Sequence, residues 1–430
     1  MSFRIRAYRQ LARAMVKQLA PARAKFELGS SSPEASRAPR IWFHAASVGE
    51  LEMLWPVIEQ MAREGRELCL TIFSRSAEKA LGRLESRCRE LHAEFASSQS
   101  GAVPAKPVFL KTGYSPGEGY WGEALAQVDP ALFVTCRYEA WPELWWELSD
   151  RKIPLLIVGA RARRSLRLAK VICSGIGAAL PHFYLGLIDA NEEPDLKRLF
   201  AAAETRIVGD PRWDRMASRI QSGNPRAAAL FERFASLPKP WGILGQIWPE
   251  DLVVWRDVLR RGTTGIWLVP HQVDEASLQP ILEALKDLGT TFVRTTEPWL
   301  PTDGAAPIIL VDELGFLAEL YRMADWAYVG GGFGKQIHSA LEPAAYGLPI
   351  SIGPRGSTKF PEVEALRRLG QIQVLERKTT APLAWLDQLP GIGQSKRAAW
   401  KSALGQRLGS TRRISEWIRE ILNGGRATDL

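Results

Sequence analysis

Cysteine, histidine and long apolar runs are scarce in this sequence, and each scarcity removes a class of protein. Four cysteines, Cys69, Cys88, Cys136 and Cys173, are spread through 430 residues without a close pair. Neither a disulfide scaffold nor a cysteine metal clip is expected. Five histidines occur, none in an HExxH or HxH pair, so the expectation is chemistry without a protein-bound metal and without a cofactor. No apolar run reaches the roughly 18–20 residues that a bilayer-spanning helix needs, and the N-terminal segment lacks the apolar core of a secretory signal. Acidic residues are missing from residues 1–26, which hold Arg4, Arg6, Arg9, Arg13, Lys17, Arg23 and Lys25. These seven cations supply most of the net charge of +9. The rest of the chain is nearly balanced, and no nucleic-acid partner is expected.

What is present is a folded α/β chain. At about 100° per residue, Arg6, Arg9, Arg13 and Lys17 fall on one side of an N-terminal helix, and Phe3, Ala7, Leu11, Met15 and Leu19 on the other. Residues 1–28 are therefore expected to form a basic amphipathic helix that lies on an anionic membrane surface. The competing arrangement packs it on the protein with its charges in water. Residues 29–40, GSSSPEASRAPR, read as a linker that makes the helix separable. Beyond it, short apolar runs alternate with helical periodicity: IWFHAA, ELCLTIF, PVFL, ALFVT, PLLIVGA, FYLGLIDA and TRIVGD. A break at QSGNP and LPKPWG follows. The series resumes with WGILG, GIWLVP, TTFVRT, IILVD, WAYVGG, LPISIG and QIQVL. This pattern predicts two Rossmann-like, doubly wound domains facing a cleft, at 41–220 and 238–395, with a C-terminal helix at 396–430.

In open parallel sheets, ligands bind beyond the carboxyl ends of the strands, so the loops after strands are the candidates. HAASVGE (44–50) places Ser47 and Gly49 at a tight turn and Glu50 in the first helical turn. A carboxylate there serves either as a general base toward a hydroxyl or as a complement to the helix dipole. The dipole lowers its pKa, so a working base needs burial or an acidic neighbour to offset that. TCRYEAWPELWW (135–146) offers Glu139 as a second carboxylate, with Trp141 and Pro142 as an apolar wall. GARARRS (159–165) offers Arg161 and Arg164 for an anion. In the second half, VGGGFGKQIHSALEPAAYG (329–347) carries a glycine-rich turn, Gly330, Gly331 and Gly332, whose N–H groups can hold phosphate. Glu342 lies in the helix that follows, suited to ribose hydroxyls. GPRGSTKF (353–360) brings Arg355 and Lys359, and GQIWPED (245–251) brings Gln246.

Together these segments resemble the 3-deoxy-D-manno-octulosonic acid (Kdo) transferases of lipopolysaccharide assembly. HAASVGE resembles that family's HAVSVGE, YEAWPEL its TELWPNL, and GARARRS its NARLSERS. VDELGFLAELYRMADWAYVGGGF is similar to VDTMGELLLLYGLADVAFVGGSL, and HSALEPAAYGLPISIGP to HNPLEPAALGKPVLFGP. The resemblance implies a glycosyltransferase-B fold and inverting transfer of Kdo from CMP-Kdo to a lipid A precursor. It also implies a site on the cytoplasmic face of the bacterial inner membrane. Glu50 becomes the base; Ser47, Gly49, Glu139, Trp141, Arg161 and Arg164 become acceptor contacts. Gln246, His271, Gly330–Gly332, His338, Ser339, Glu342, Arg355 and Lys359 become donor contacts. The family's PRHPER is PHQVDE here, with His271 or Gln272 standing where an arginine meets the nucleotide phosphate, and its HN is His338-Ser339. Two other readings stay open: a same-fold enzyme using another nucleotide-activated sugar, and a non-catalytic, membrane-associated descendant.

Overall fold

The computed structural model describes residues 3–19, 39–98, 110–116, 119–137, 139–237, 239–262, 265–298, 308–358 and 360–424. The linker expected at 29–40 lies almost wholly outside the described residues, as does Lys359. Two compact units result, Met1–Arg215 with Arg407–Leu430, and Met216–Gln406.

The first unit is built on β1 (Arg40–Ala45), β2 (Glu67–Ile72), β3 (Leu110–Tyr114), β4 (Leu132–Cys136), β5 (Leu155–Val158), β6 (Phe183–Leu187) and β7 (Glu204–Ile207). Their order is β3-β2-β1-β4-β5-β6-β7, and neighbouring strands are parallel. Strands β2 and β5 are buried at every position, as uninterrupted apolar runs must be when helices cover both faces. On one face, α2 (Val48–Arg63) and α3 (Glu78–Ser98) pack Leu54, Ile58 and Leu84 against the sheet. On the other, α4 (Trp121–Val128), α5 (Pro142–Asp150) and α6 (Arg164–Ile176) bury Trp121, Trp145 and Leu166 beside Trp42 and Phe183.

The second unit repeats the plan with β8 (Trp241–Ile247), β9 (Gly265–Pro270), β10 (Phe292–Arg294), β11 (Ile308–Leu310), β12 (Trp326–Val329), β13 (Ile350–Ile352) and β14 (Ile372–Val374). The order is β10-β11-β9-β8-β12-β13-β14, again parallel. Trp255 of α10 (Pro249–Arg261) stacks on Trp326 at 5.5 Å. That ring lies so close to β8 that a Cβ on Gly242 would fall 1.9 Å from it, which leaves glycine alone at this position. Winding reverses between β1 and β4 in one sheet and between β8 and β12 in the other. Crossovers leaving in opposite directions open a crevice at such a point.

Two expectations are corrected. The C-terminal region from 396 is not one helix. A helix at Gln394–Gly405 belongs to the second unit, and another, α17 (Ser410–Gly424), returns to the first. Between them Gly409 adopts φ +86, and Asp214 accepts the Gly409 and Thr411 N–H groups at 2.7 and 2.6 Å. Helix α17 then buries Ile414, Trp417 and Ile418 in the core that also holds α2.

The N-terminal helix, α1 (Phe3–Leu19), expected to stand apart, docks on the first unit. Arg9, expected on the solvated basic side, is turned inward. Its Nε donates to Glu143 at 2.7 Å, its Nη2 to Glu147, and the Glu143 side chain is fully buried. Tyr8 meets Trp146 edge-on at 5.7 Å, and Ala12 is buried. Ala7 and Leu11 of the expected apolar stripe face outward instead, Leu11 with 63% exposure. The cause is the acidic pair on α5, because a buried carboxylate requires a counter-charge. Removing one partner of such a pair costs about 3–5 kcal/mol when both are buried, and Arg9 is 24% exposed. Arg9→Ala should therefore lower unfolding stability by roughly 2–3 kcal/mol, measured by urea denaturation. Deleting α1 should cost at least as much, and a truncated chain as stable as the full one would contradict this docking.

Candidate active site

The crevice of the first sheet lies between the loops after β1 and β4, and these are the two loops that carry Glu50 and Glu139. Glu50 is the third residue of α2, only 7% exposed. Its Oε2 accepts the Ala46 N–H at 2.8 Å and the Ser47 N–H at 3.1 Å. Ser47 and Gly49 are exposed on the same turn, and a Cβ on Gly49 would meet open space. Glu139 faces the fully buried His44, with His44 Nε2 3.6 Å from Glu139 Oε2. Trp141 Nε1 donates to the same oxygen at 2.7 Å. The other imidazole nitrogen, Nδ1, lies 3.1 Å from Thr71 Oγ1, which also accepts from Trp42 Nε1 at 2.8 Å. Trp141 contacts Phe73 at 5.4 Å and Trp121 at 6.5 Å, forming an apolar wall.

Burial raises the Glu50 pKa from 4.5 to about 7; the neighbouring Glu139 charge adds to the rise, while His44, the Ala46 N–H and Arg137 oppose it. A base at this position needs burial or an acidic neighbour, and both are present. A carboxylate titrating near neutrality has the affinity for a proton that general-base chemistry needs.

Arg137 was not singled out from the sequence. It sits at φ +59 immediately after β4, and its Nη2 is buried without a hydrogen-bond partner among the described residues. His44 was also passed over; its signal is a polar side chain inside an otherwise apolar strand. Arg161 and Arg164 do not join this cluster. Arg161 pairs with Glu192 at 2.5 Å, and Arg164 is exposed at the start of α6. Trp145 and Trp146, beside the motif, are core residues.

In the second unit the crevice lies between the loops after β8 and β12. Asp251, the third residue of α10 and 1% exposed, organises them. It accepts from Tyr328 Oη at 2.7 Å, Gly331 N at 2.8 Å and Trp248 N at 2.9 Å. The sequence signal for this residue is an acid two positions after a proline at a helix start. Gln246, next to last in β8, sits at φ +54 within a register irregularity, with Oε1 buried and unpartnered among the described residues. Trp248 and His271 stack at 4.9 Å, and His271 and His338 at 4.3 Å. Trp248 Nε1 points at His338 Nε2 across 3.4 Å.

The glycine-rich turn departs from the expected phosphate cradle. Gly330 N donates to Gly245 O at 2.8 Å and Gly331 N to Asp251, so two of its N–H groups are already committed. Close backbone packing is what demands glycine: a Cβ on Gly330 would lie 2.4 Å from Gln246 O, and one on Gly332 2.5 Å from Gly353 Cα. Nor does the turn lead straight into a helix. The next helix, α13 (Leu341–Ala345), begins beyond His338 and Ser339 and carries Glu342 as its second residue. Arg355 donates to Gly334 O. Burial lowers the His271 pKa, and burial together with His271 lowers that of His338 to about 4. At neutral pH neither imidazole supplies the charge that an arginine would.

Among the described residues no group of three His, Cys, Asp or Glu side chains is placed to hold a metal ion. The Glu50–Glu139 pair yields a direct test. Removing the like charge in Glu139→Gln should bring the Glu50 pKa down from about 7, read as a ¹³C carboxyl titration. An unchanged midpoint would leave burial as the whole cause.

The family model for 3-deoxy-D-manno-octulosonic-acid transferase (kdotransferase) matches residues 20–215. The 3-deoxy-D-manno-octulosonic acid transferase of Bordetella pertussis is 25% identical over 414 residues, covering 92% of this chain and 90% of its own. That of Haemophilus influenzae is 27% identical over 364 residues, covering 79% of this chain and 76% of its own. Among solved structures, a UDP-GlcNAc 2-epimerase from Neisseria meningitidis has a TM-score of 0.56 at 12% identity, covering 90% of this chain and all (100%) of the other. A glycosyltransferase from Rickettsia africae has a TM-score of 0.55 at 11% identity, covering 90% and 99%. These likenesses bear on architecture, which is the glycosyltransferase-B fold. With the family model matching residues 20–215 and relatives of that name spanning most of the chain, this protein is a glycosyltransferase similar to the 3-deoxy-D-manno-octulosonic-acid transferases.

Proposed function

We propose that the chain transfers Kdo from CMP-Kdo to a hydroxyl of a lipid A precursor, with inversion at the anomeric carbon. The observation that carries this reading is Glu50, buried at the winding reversal of the first sheet and titrating near 7. The carboxylate takes the proton of the acceptor hydroxyl. The acceptor oxygen forms its bond to the anomeric carbon as the bond from that carbon to the CMP phosphate breaks. The electron pair leaves with CMP. A single displacement from the opposite face inverts configuration. Protein side chains and backbone groups fill every role, and no cofactor is needed. On the second unit, the Trp248–His271–His338 stack, Gln246, Ser339 and Glu342 are the donor contacts. Because the two imidazoles are neutral, they meet the departing phosphate by hydrogen bonding rather than by charge.

The test is incubation of the purified protein with CMP-Kdo and a lipid A precursor, followed by product mass. A mass increase other than that of Kdo would assign a different nucleotide-activated sugar, and no product with any donor would favour a non-catalytic descendant. Glu50→Gln keeps the shape but loses the base, and should lower kcat by about 10²–10⁴. For the wild type, Glu50 must be ionised to act, so kcat/KM should rise with pH through about 7 and then level off. A flat profile between pH 5 and 8 would remove Glu50 from the proton transfer.

The membrane part of the reading rests on the first unit's surface. No helix among the described residues is long and apolar enough to cross a bilayer. We propose contact with the anionic cytoplasmic leaflet of the inner membrane through the outward face of α1, where Arg4, Arg6, Ala7 and Leu11 are exposed. Leu168 and Val171, 60% and 67% exposed, present a similar face on α6 with Arg164 and Arg167. Each basic group near such a surface contributes about 1 kcal/mol, screened by salt. Leu11→Asp should weaken co-sedimentation with anionic vesicles at any salt concentration, because it removes apolar contact; unchanged binding would exclude this face.

A further inference from the structure

Glu342 does not stand alone in the second unit. Its Oε1 lies 3.7 Å from Nη1 of Arg219, a residue of α8 (Arg212–Ser222). Arg219 is itself fixed: Nε donates to Glu319 Oε1 and Nη2 to Glu319 Oε2, both at 3.1 Å. Glu319, only 7% exposed, belongs to α12 (Leu317–Leu320). Next to it Tyr321 is buried, with its hydroxyl where a Cβ on Gly245 would come within 2.2 Å. The arrangement is a chain of three charges, Glu319–Arg219–Glu342, rooted against the strand that opens the donor crevice.

The chemistry of a ribose-binding carboxylate explains the chain. Two vicinal hydroxyls are recognised by an ionised, correctly turned carboxylate, which is acceptor-only in that state. A guanidinium gripped side-on by a second carboxylate has already lost its rotamer freedom, so its remaining edge can hold a partner at small further entropic cost. A contact of 3.7 Å is longer than a hydrogen bond and acts through charge. Arg226 shows the contrast within the same unit: it engages Glu313 at the surface, with no donor-loop carboxylate paired to it among the described residues.

We infer that Arg219 is the positioning residue for Glu342, held in place by Glu319, so that recognition of the donor's ribose depends on α8. This rests on the reading of Glu342 as the ribose acceptor, and the experiment separates the two. Calorimetry on the full-length protein compares CMP with 2′-deoxy-CMP. The wild type should prefer CMP by about 10-fold or more, the value of one charged hydrogen bond. Glu342→Ala should erase that preference; if it does not, the ribose reading fails and takes the inference with it. With that arm satisfied, Arg219→Gln should cut the preference to roughly 3-fold or less while leaving 2′-deoxy-CMP affinity nearly unchanged. Arg219→Lys, which keeps the charge but not the fork, should fall between them. Arg219→Gln combined with Glu342→Ala should be no weaker toward CMP than Glu342→Ala alone. Either of two results overturns the inference: Arg219→Gln and Arg219→Lys both keeping the wild-type preference, or Arg219→Gln losing affinity for both nucleotides equally, which marks a purely structural arginine.

Discussion

A parallel sheet can be wound only by crossovers of one hand, and a sheet covered on both faces must reverse its winding once. That constraint organises each unit of this protein. The reversal separates the loop after β1 from the loop after β4, and the loop after β8 from the loop after β12. In each case the segments that come to face each other are distant in sequence. Glu50 and Glu139 meet for this reason, and so do Asp251 and Gly331. The helices, the aromatic cores and the returning α17 serve to keep the strand ends where that geometry puts them.

Within the frame, function turns on how each buried acid is partnered. Asp210 is buried, yet Arg212 outweighs that desolvation by charge and hydrogen bonds and holds its pKa below the usual range. Glu143 is offset by Arg9 but still raised by burial. For Glu50, burial and the neighbouring Glu139 outweigh the backbone N–H bonds, His44 and Arg137, and its pKa rises to about 7. Burial therefore leaves a carboxylate held below its usual pKa in one place and one raised to about 7 in another, and the counter-charge decides which. The crevice of the second unit is built differently. Its turns are joined by backbone contact that only glycine allows, and its two imidazoles are stacked and uncharged near pH 7.

Local pattern made much of this legible in advance. Continuous apolar runs such as ELCLTI and LLIV can be satisfied only between two helical layers, so the α/β character and nearly all the strands followed from the sequence. The motif around Glu50 placed a carboxylate after a strand and named the conditions it needed. Local pattern says little about which face of a helix is buried when both faces carry plausible chemistry. The periodicity of α1 was visible, but Arg9 turned inward because Glu143 and Glu147 lie on a helix far along the chain. The glycine run read as a phosphate cradle because the bonds that occupy its N–H groups come from Asp251 and Gly245, residues that adjacency in sequence does not reveal.

The sequence by itself determined the elements, their alternation, the scarcity of metal-binding residues, and the positions at which a carboxylate would leave a strand. Those are properties of single segments, set by periodicity and side-chain chemistry. Only the tertiary structure decided that Glu50 is desolvated beside Glu139, that His44 and Arg137 flank them, and that an Arg219 held by Glu319 lies 3.7 Å from Glu342. A proton affinity or an ion pair depends on distances between segments, and those distances exist only once the sheets have closed their order.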